Sequence, residues 1–170
     1  MHLNLSHLYR FFLFTFLQVL LFNPLDFGNG IYIMVYPLYI MLLPFYLPIL
    51  SLLTISFFLG FFIDIFSNTY GLHASAAVLF AYIRPLVFSS LAQRDNYDPL
   101  KEPSLFDMGY KWFLSAFSTC LFIHHFWFFI LEIFTFSEFT MILSNTFLSV
   151  IVSLIFCLLI SLLIVKRKKV

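Results

Sequence analysis

The amino-acid sequence predicts an all-α, polytopic membrane protein with about six transmembrane helices. Of its 170 residues, 62% are hydrophobic and only 10% are charged, whereas soluble domains carry about 25% charged residues. So few charges cannot cover a surface that faces water, so a lipid bilayer must be the solvent for most of the chain. Proline, glycine and asparagine divide the apolar residues into separate runs, and we take each run as one membrane crossing.

Proline-containing turns separate the first three of these runs. The first run ends at Asn23-Pro24 and not at a cleavage site of small residues, which predicts an uncleaved helix and not a signal peptide. Pro44 and Pro48 stand four residues apart and predict a tight connection between the second and third spans. The first three spans are predicted at residues 8–22, 31–43 and 49–66.

The second half of the chain contains one long polar segment, at residues 93–110. Before it, a turn at residues 67–71 leads into the fourth span, in which Pro85 is expected to kink or end the helix. The last three spans are predicted at residues 72–92, 111–133 and 139–165. No repeat or linker divides the chain, so residues 1–170 are predicted to form a single integral membrane domain.

The positive charges predict the orientation of the chain. Arg10 lies at the start of the first span, Arg94 and Lys101 lie in the polar segment, and residues 166–169 are all Lys or Arg. With six spans these three regions fall on one side, and cytoplasmic loops carry the excess of Lys and Arg. We therefore expect both termini and the polar segment to be cytoplasmic. The opposite, outer side receives acidic residues and no Lys or Arg: Asp26, Asp64, Glu132 and Glu138.

The sequence contains none of the short motifs that indicate a catalytic site. It has no G-x-S-x-G, P-loop or H-E-x-x-H pattern, so we expect neither catalysis nor a cofactor. His124 and His125 are adjacent and diverge by about 100° on a helix, which argues against a shared metal ion. Cys120 and Cys157 both lie in apolar runs, so no disulfide is expected, and the net charge of +1 gives no case for nucleic acid.

Asp64 is the acidic residue placed deepest in a predicted span. Ser56, Gly60 and Asp64 recur every four residues on the third span, so they share one helix face. A carboxylate inside a membrane needs a partner, and His73, just past the turn, is predicted at the same level and could hydrogen-bond it. The pair could form a proton relay or binding site, or a polar clamp that pins the turn; we favour the clamp.

Two further features invite a similar choice between function and packing. Arg84 lies about 16 Å below His73 along the fourth span and is expected to snorkel toward the cytoplasmic headgroups, or else to meet an acidic residue of a partner. Small and weakly polar residues recur every four positions on the sixth span, which favours a helix-contact ridge over a pore lining. Gln18 is a candidate for an interhelical hydrogen bond. The ridge consists of Asn145, Ser149, Ser153, Cys157 and Ser161.

In the third span and the turn after it, the chain has Gly60, Asp64 and Phe66, then Gly71 and His73. This segment resembles MreD, a family of rod-shape-determining membrane proteins. That family's pattern is G-x-x-x-D-x-F, a short turn and then G-x-H. The Pro44-to-Pro48 turn is similar to a subset of the same family, and the resemblance covers about residues 37–85. The residues that carry it here are Gly60, Asp64, Phe66, Gly71 and His73, followed by the pair Arg84-Pro85.

The resemblance implies a non-catalytic subunit of the cell-elongation machinery in the bacterial inner membrane. MreD-like proteins bind MreC and act with the MreB filament and with the RodA and transpeptidase pair that builds peptidoglycan. As a scaffold, the chain would present helix surfaces to such partners. The candidate surfaces on the fourth and sixth spans are Ala74, Ala77 and Ala81, and Ser149, Ser153 and Cys157.

The same family is similar in fold to the substrate-binding S-components of vitamin transporters, which gives a rival function. The predicted outer half of this chain offers few polar groups for a vitamin site. They are mainly Asp64, His73, Glu132 and Glu138, which stand among phenylalanines. The two alanines in Ala77-Val78-Leu79-Phe80-Ala81 match the spacing with which S-components dock their energising subunit, but such pairs are common in membrane helices. An intramembrane enzyme using Asp64 and His73 is the third possibility and the least favoured, because no nucleophile or metal set accompanies them.

Overall fold

The computed structural model describes residues 5–25, 28, 30–91 and 102–164, in which all regular structure is helical and there is no strand. This confirms the prediction of an all-α polytopic membrane protein. Residues 93–101 of the polar segment, the basic residues 166–169 and Asp26 lie outside the described residues. The helices are α1 (Leu5–Phe16, continued by a π-helical turn at Leu17–Phe22), α2 (Pro37–Leu42), α3 (Ile49–Ser67), α4 (Leu72–Leu91), α5 (Leu105–Met108), α6 (Tyr110–Ile133) and α7 (Phe139–Ile164).

Five helices of the described chain are long and apolar enough to cross a membrane: Leu5–Phe22, α3, α4, α6 and α7. The sequence predicts a sixth at residues 31–43, but there only the six residues of α2 are α-helical. Pro37 is the first residue of α2, because proline has no N–H to continue a helix and suits its first turn. Hydropathy alone does not distinguish such a segment from a full helix.

Residues 31–43 nevertheless cross the bundle, and we call them the second crossing. The segment runs antiparallel to the first helix, since Gln18 binds the Ile33 carbonyl while Phe14 meets Tyr39. About five extended residues at 3.3 Å and seven helical residues at 1.5 Å give roughly 27 Å, close to the thickness of the hydrocarbon core. The described part of the chain therefore passes along the bundle six times, in five long helices and one partly unwound segment.

The second crossing lies in the middle of the bundle. From residue 33 to residue 43 its side chains are almost wholly buried, with Tyr36 and Leu38 both 0% exposed. Around it stand α1, α3, α4, α6 and α7, whose apolar residues on the outer surface face the bilayer. Irregular backbone at membrane depth is tolerated where protein surrounds it. It leaves backbone N–H and C=O groups inside the bundle that a continuous helix would use for its own hydrogen bonds.

Candidate functional site

The carboxylate of Asp64 binds the first turn of α4. It accepts hydrogen bonds from the Thr69 hydroxyl (2.5 Å), the His73 backbone N–H (3.0 Å) and the Ala74 backbone N–H (2.8 Å). These amides belong to the helix N-terminus, whose N–H groups have no intrahelical partner and where a negative charge is favourable. The clamp interpretation therefore describes Asp64, with backbone as its main partner.

Glycines bring α3 and α4 close enough for this clamp. A Cβ on Gly60 would lie 2.5 Å from the His73 carbonyl oxygen and 2.5 Å from the Ala74 Cα, so the two backbones touch there. Gly71 has a φ of +96°, a conformation that glycine adopts without strain. Phe66, which also belongs to the motif, is largely exposed at the outer end of α3.

The ring of His73 does not pair with Asp64, contrary to what the sequence suggests. Its Nδ1 lies 3.3 Å from the Tyr36 hydroxyl in the second crossing. The two residues do lie at one level, but the backbone of His73, and not its ring, meets the carboxylate. The sequence could not show this, because an aspartate at this distance can cap the helix as well as bind a side chain.

His73 begins a chain of polar side chains that crosses the bundle core. The Tyr36 hydroxyl lies 2.6 Å from His124 Nε2, and His124 Nδ1 lies 3.4 Å from His125 Nδ1. His125 Nε2 then lies 3.2 Å from the Ser153 hydroxyl on α7. We call these five residues, all at most 5% exposed, the polar chain. The sequence does not reveal the polar chain, because Tyr36 belongs to no motif and the adjacency of His124 and His125 bears only on metal binding.

Side chains from α1 and α7 satisfy the unwound backbone of the second crossing. Gln18 donates to the Ile33 carbonyl and accepts from the Val35 N–H, both at 2.8 Å. Ser149 accepts from the Tyr32 N–H at 3.0 Å, and Ser153 accepts from the Met34 N–H at 2.9 Å. The ridge predicted on the last span therefore contacts the second crossing, with Cys157 beside the Met34 and Val35 carbonyls and Asn145 beside Gly30.

Arg84 binds the other end of the second crossing. Its guanidinium donates to the Leu43 carbonyl at the C-cap of α2 and lies over the Phe88 ring, 4.8 Å from its centroid. A cation is favourable at a helix C-terminus. Arg84 is only 3% exposed, so the prediction that it snorkels to the headgroups is wrong: a carbonyl inside the bundle is its partner. Pro85 does not end α4, which continues to Leu91.

A partly polar cavity of about 410 Å³ lies at one end of the bundle, between the first helix, the α3–α4 turn and α6. We call it the outer cavity, because the charge distribution predicts that this end faces outward. His73 is in its wall and connects it to the polar chain. Glu132 of α6 and Gln18 also line it. The described residues contain no group of three or more His, Cys, Asp or Glu side chains that could hold a metal ion.

Comparison with family models, curated proteins and solved structures gives no match to this chain. The resemblance to the MreD family therefore stays a prediction.

Proposed function

We propose that this chain is a non-catalytic subunit of the bacterial cell-elongation complex in the inner membrane, where it binds an MreC-like protein. The MreB filament and the RodA and transpeptidase pair would be its further partners. The supporting observation is that the residues of the MreD-like motif act together on the backbone. Gly60 and Asp64 join α3 to α4, and Arg84 holds the end of the second crossing. These residues hold the helices of the bundle in fixed positions, and a scaffold requires such a fixed arrangement to present a surface to its partners.

The partner surface has to differ from the two predicted from sequence. Ala77 and Ala81 are 0% exposed, and Ser149 and Ser153 bind the second crossing, so most of both surfaces is used inside the chain and only Ala74 borders an open groove. A groove of about 850 Å³ between α3 and α4 opens instead on the outside of the bundle. Its floor includes small residues, which let a helix approach closely. Its lining includes Phe57, Phe61, Gly71, Ala74, Ser75, Leu79, Tyr82 and Trp127.

We place one membrane helix of the MreC-like partner in this groove and test it with a matched pair of variants. Leu79→Trp fills the groove, whereas Leu162→Trp puts the same bulk on an exposed position of α7. Both should insert and purify normally, because a lone bulky apolar residue is tolerated in hydrocarbon. Only Leu79→Trp should lose the MreC-like protein in a mild-detergent pull-down and fail to restore rod shape in depleted cells.

The transport alternative predicts a different outcome of the same experiment. Recovery of an ATPase pair with a transmembrane coupling subunit would contradict the scaffold. So would cells that keep their rod shape without this protein but fail to take up one vitamin. If the two tryptophan variants recover the MreC-like protein and restore rod shape equally well, the partner helix does not bind in the groove.

A further inference from the structure

The outer cavity contains a histidine nitrogen without a partner in the described chain. His73 lines the cavity and is 5% exposed, its Nδ1 faces Tyr36, and no described group bonds its Nε2. The neighbouring polar groups are occupied: Gln18 binds Asn23 and the second crossing, and Thr69 binds Asp64. Because His73 borders the cavity, a hydrogen-bonding group of a molecule inside the cavity can reach this ring.

The hydrogen bonds of the polar chain determine which nitrogen of His73 carries its hydrogen. Three protonated rings so close together in the core would repel one another, so each carries a single N–H. His125 Nδ1 lies 2.9 Å from the Leu121 carbonyl, which can only accept, so that nitrogen holds the hydrogen. His124 Nδ1, 3.4 Å from the same N–H, must then be bare, and its hydrogen is on Nε2.

Tyr36 then sets the direction of the next hydrogen bond in the polar chain. His124 Nε2–H donates to the Tyr36 oxygen, so the Tyr36 O–H is left to donate to His73 Nδ1. A neutral His73 that accepts at Nδ1 carries its hydrogen on Nε2. The polar chain therefore makes His73 present an N–H donor to the cavity.

Glu132, at the α6 side of the cavity, presents a hydrogen-bond acceptor, so it requires a donor on the ligand. Its carboxylate accepts a hydrogen bond from Tyr32 and keeps further acceptor positions. The lining residues include no Lys or Arg to neutralise it. Aromatic rings of Phe22, Phe66 and Phe128 supply apolar walls, and such faces also favour a cation.

We propose that this cavity binds a small molecule that carries a protonated amine and a carbonyl oxygen on an apolar body. The carbonyl accepts from His73 Nε2–H, the ammonium pairs with Glu132, and the apolar body packs against the aromatic walls. A volume of about 410 Å³ lies in the range of small-molecule sites. This inference does not rest on the scaffold proposal, since it involves no partner protein.

Three matched probes test the two polar contacts separately by calorimetry on purified protein in nanodiscs. L-phenylalaninamide has both groups, phenethylamine lacks the carbonyl, and 3-phenylpropionamide lacks the amine. We expect L-phenylalaninamide to bind about tenfold more tightly than either of the others, because each lost contact is one hydrogen bond to a charged or buried group. Absence of saturable binding by all three would overturn the proposal.

Variants assign each contact to its residue. Glu132→Gln should weaken both amines about tenfold and leave 3-phenylpropionamide unchanged, while His73→Phe should weaken the two carbonyl compounds only. Glu138→Gln, which lies outside this cavity, should change nothing. Affinities that are the same in all variants would overturn the site.

Nitrogen-15 spectra of histidine-labelled protein test the direction of the polar chain without relying on His73→Phe to fold. We expect His73 as the Nε2–H tautomer, and a mixture of tautomers in Tyr36→Phe, where the hydroxyl that fixes it is gone. A His73 that is Nδ1–H in the unaltered protein would overturn the donor and with it the proposed ligand class.

Discussion

Asp64 and Arg84 are charged side chains within membrane-spanning helices, and both bind backbone of the same chain. Asp64 accepts from the N-terminus of α4, and Arg84 donates at the C-terminus of α2. Each sign matches the helix end that it meets. A charge that costs free energy in hydrocarbon is thus offset by backbone groups that would otherwise lack partners.

The first prediction at this scale separates the backbone of His73 from its ring. Asp64→Ala should lower the free energy of unfolding in detergent by about 1–2 kcal/mol, as expected for the loss of a helix cap. His73→Ala keeps the amide that binds Asp64. The two changes should therefore add to within about 0.5 kcal/mol. Tyr36→Phe and His73→Ala, which share a hydrogen bond, serve as the comparison and should be non-additive.

Strong coupling between Asp64→Ala and His73→Ala would contradict this assignment, because it would place the ring and not the amide against the carboxylate. Denaturant titrations of the three single and two double variants in one detergent mixture provide the measurement.

Single residues also mark how far sequence reasoning reached. The spacing of Gly60 and Asp64 on one helix face, with His73 just past the turn, predicts a polar clamp at the α3–α4 turn. It did not predict which atom of His73 meets Asp64, because backbone and ring lie at the same level. The partners expected for Arg84, the headgroups or an acidic residue of a partner, both lie outside the chain, whereas its actual partner is the Leu43 carbonyl at the end of α2, which the sequence does not reveal.

Among the elements, the second crossing determines which polar contacts form inside the bundle. It is partly unwound, and Gln18, Ser149 and Ser153 replace the hydrogen bonds of a helix. The four-residue period on α7 predicted a contact ridge, but not its partner, because a stripe of small residues fits extended backbone as well as a helix. The five long helices followed from hydropathy, since length and apolarity define a membrane helix.

The prediction at this scale concerns Gln18, whose amide binds both Ile33 and Val35. Gln18→Leu makes the first helix more apolar and should not impair insertion. It leaves a buried carbonyl and a buried N–H without partners, so the free energy of unfolding should fall by about 2–6 kcal/mol, at 1–3 kcal/mol per group. Hydrogen exchange should rise at the Val35 amide.

Leu20→Ile, on the exposed side of the same helix, is the control and should change neither quantity. Unchanged exchange at Val35 in Gln18→Leu would mean that another group holds the second crossing.

At the scale of the whole molecule, the order of contacts gives an even number of crossings. The first helix and the second crossing are antiparallel, and α3 and α4 are joined by a short turn. Trp112 at the start of α6 meets Phe88 at the end of α4, so the chain re-enters the bundle at the end where it left. Phe126 near the end of α6 meets Phe139 at the start of α7. Five long helices alone would have put the two ends of the chain on opposite sides.

The last prediction uses this count to test orientation. Six crossings put the α6–α7 connection on one side and the segment between α4 and α6 on the other, and the Lys and Arg residues of that segment predict that it is cytoplasmic. Single cysteines are placed at Asn96 and Ser137 in a variant whose two native cysteines, both buried, are replaced by alanine. An impermeant thiol reagent added to intact spheroplasts should label Ser137→Cys and leave Asn96→Cys unlabelled until the membrane is opened. The reverse pattern would invert the protein and place the outer cavity in the cytoplasm. Labelling of both positions from outside would mean that α6, the one long helix described between them, does not pass through the membrane.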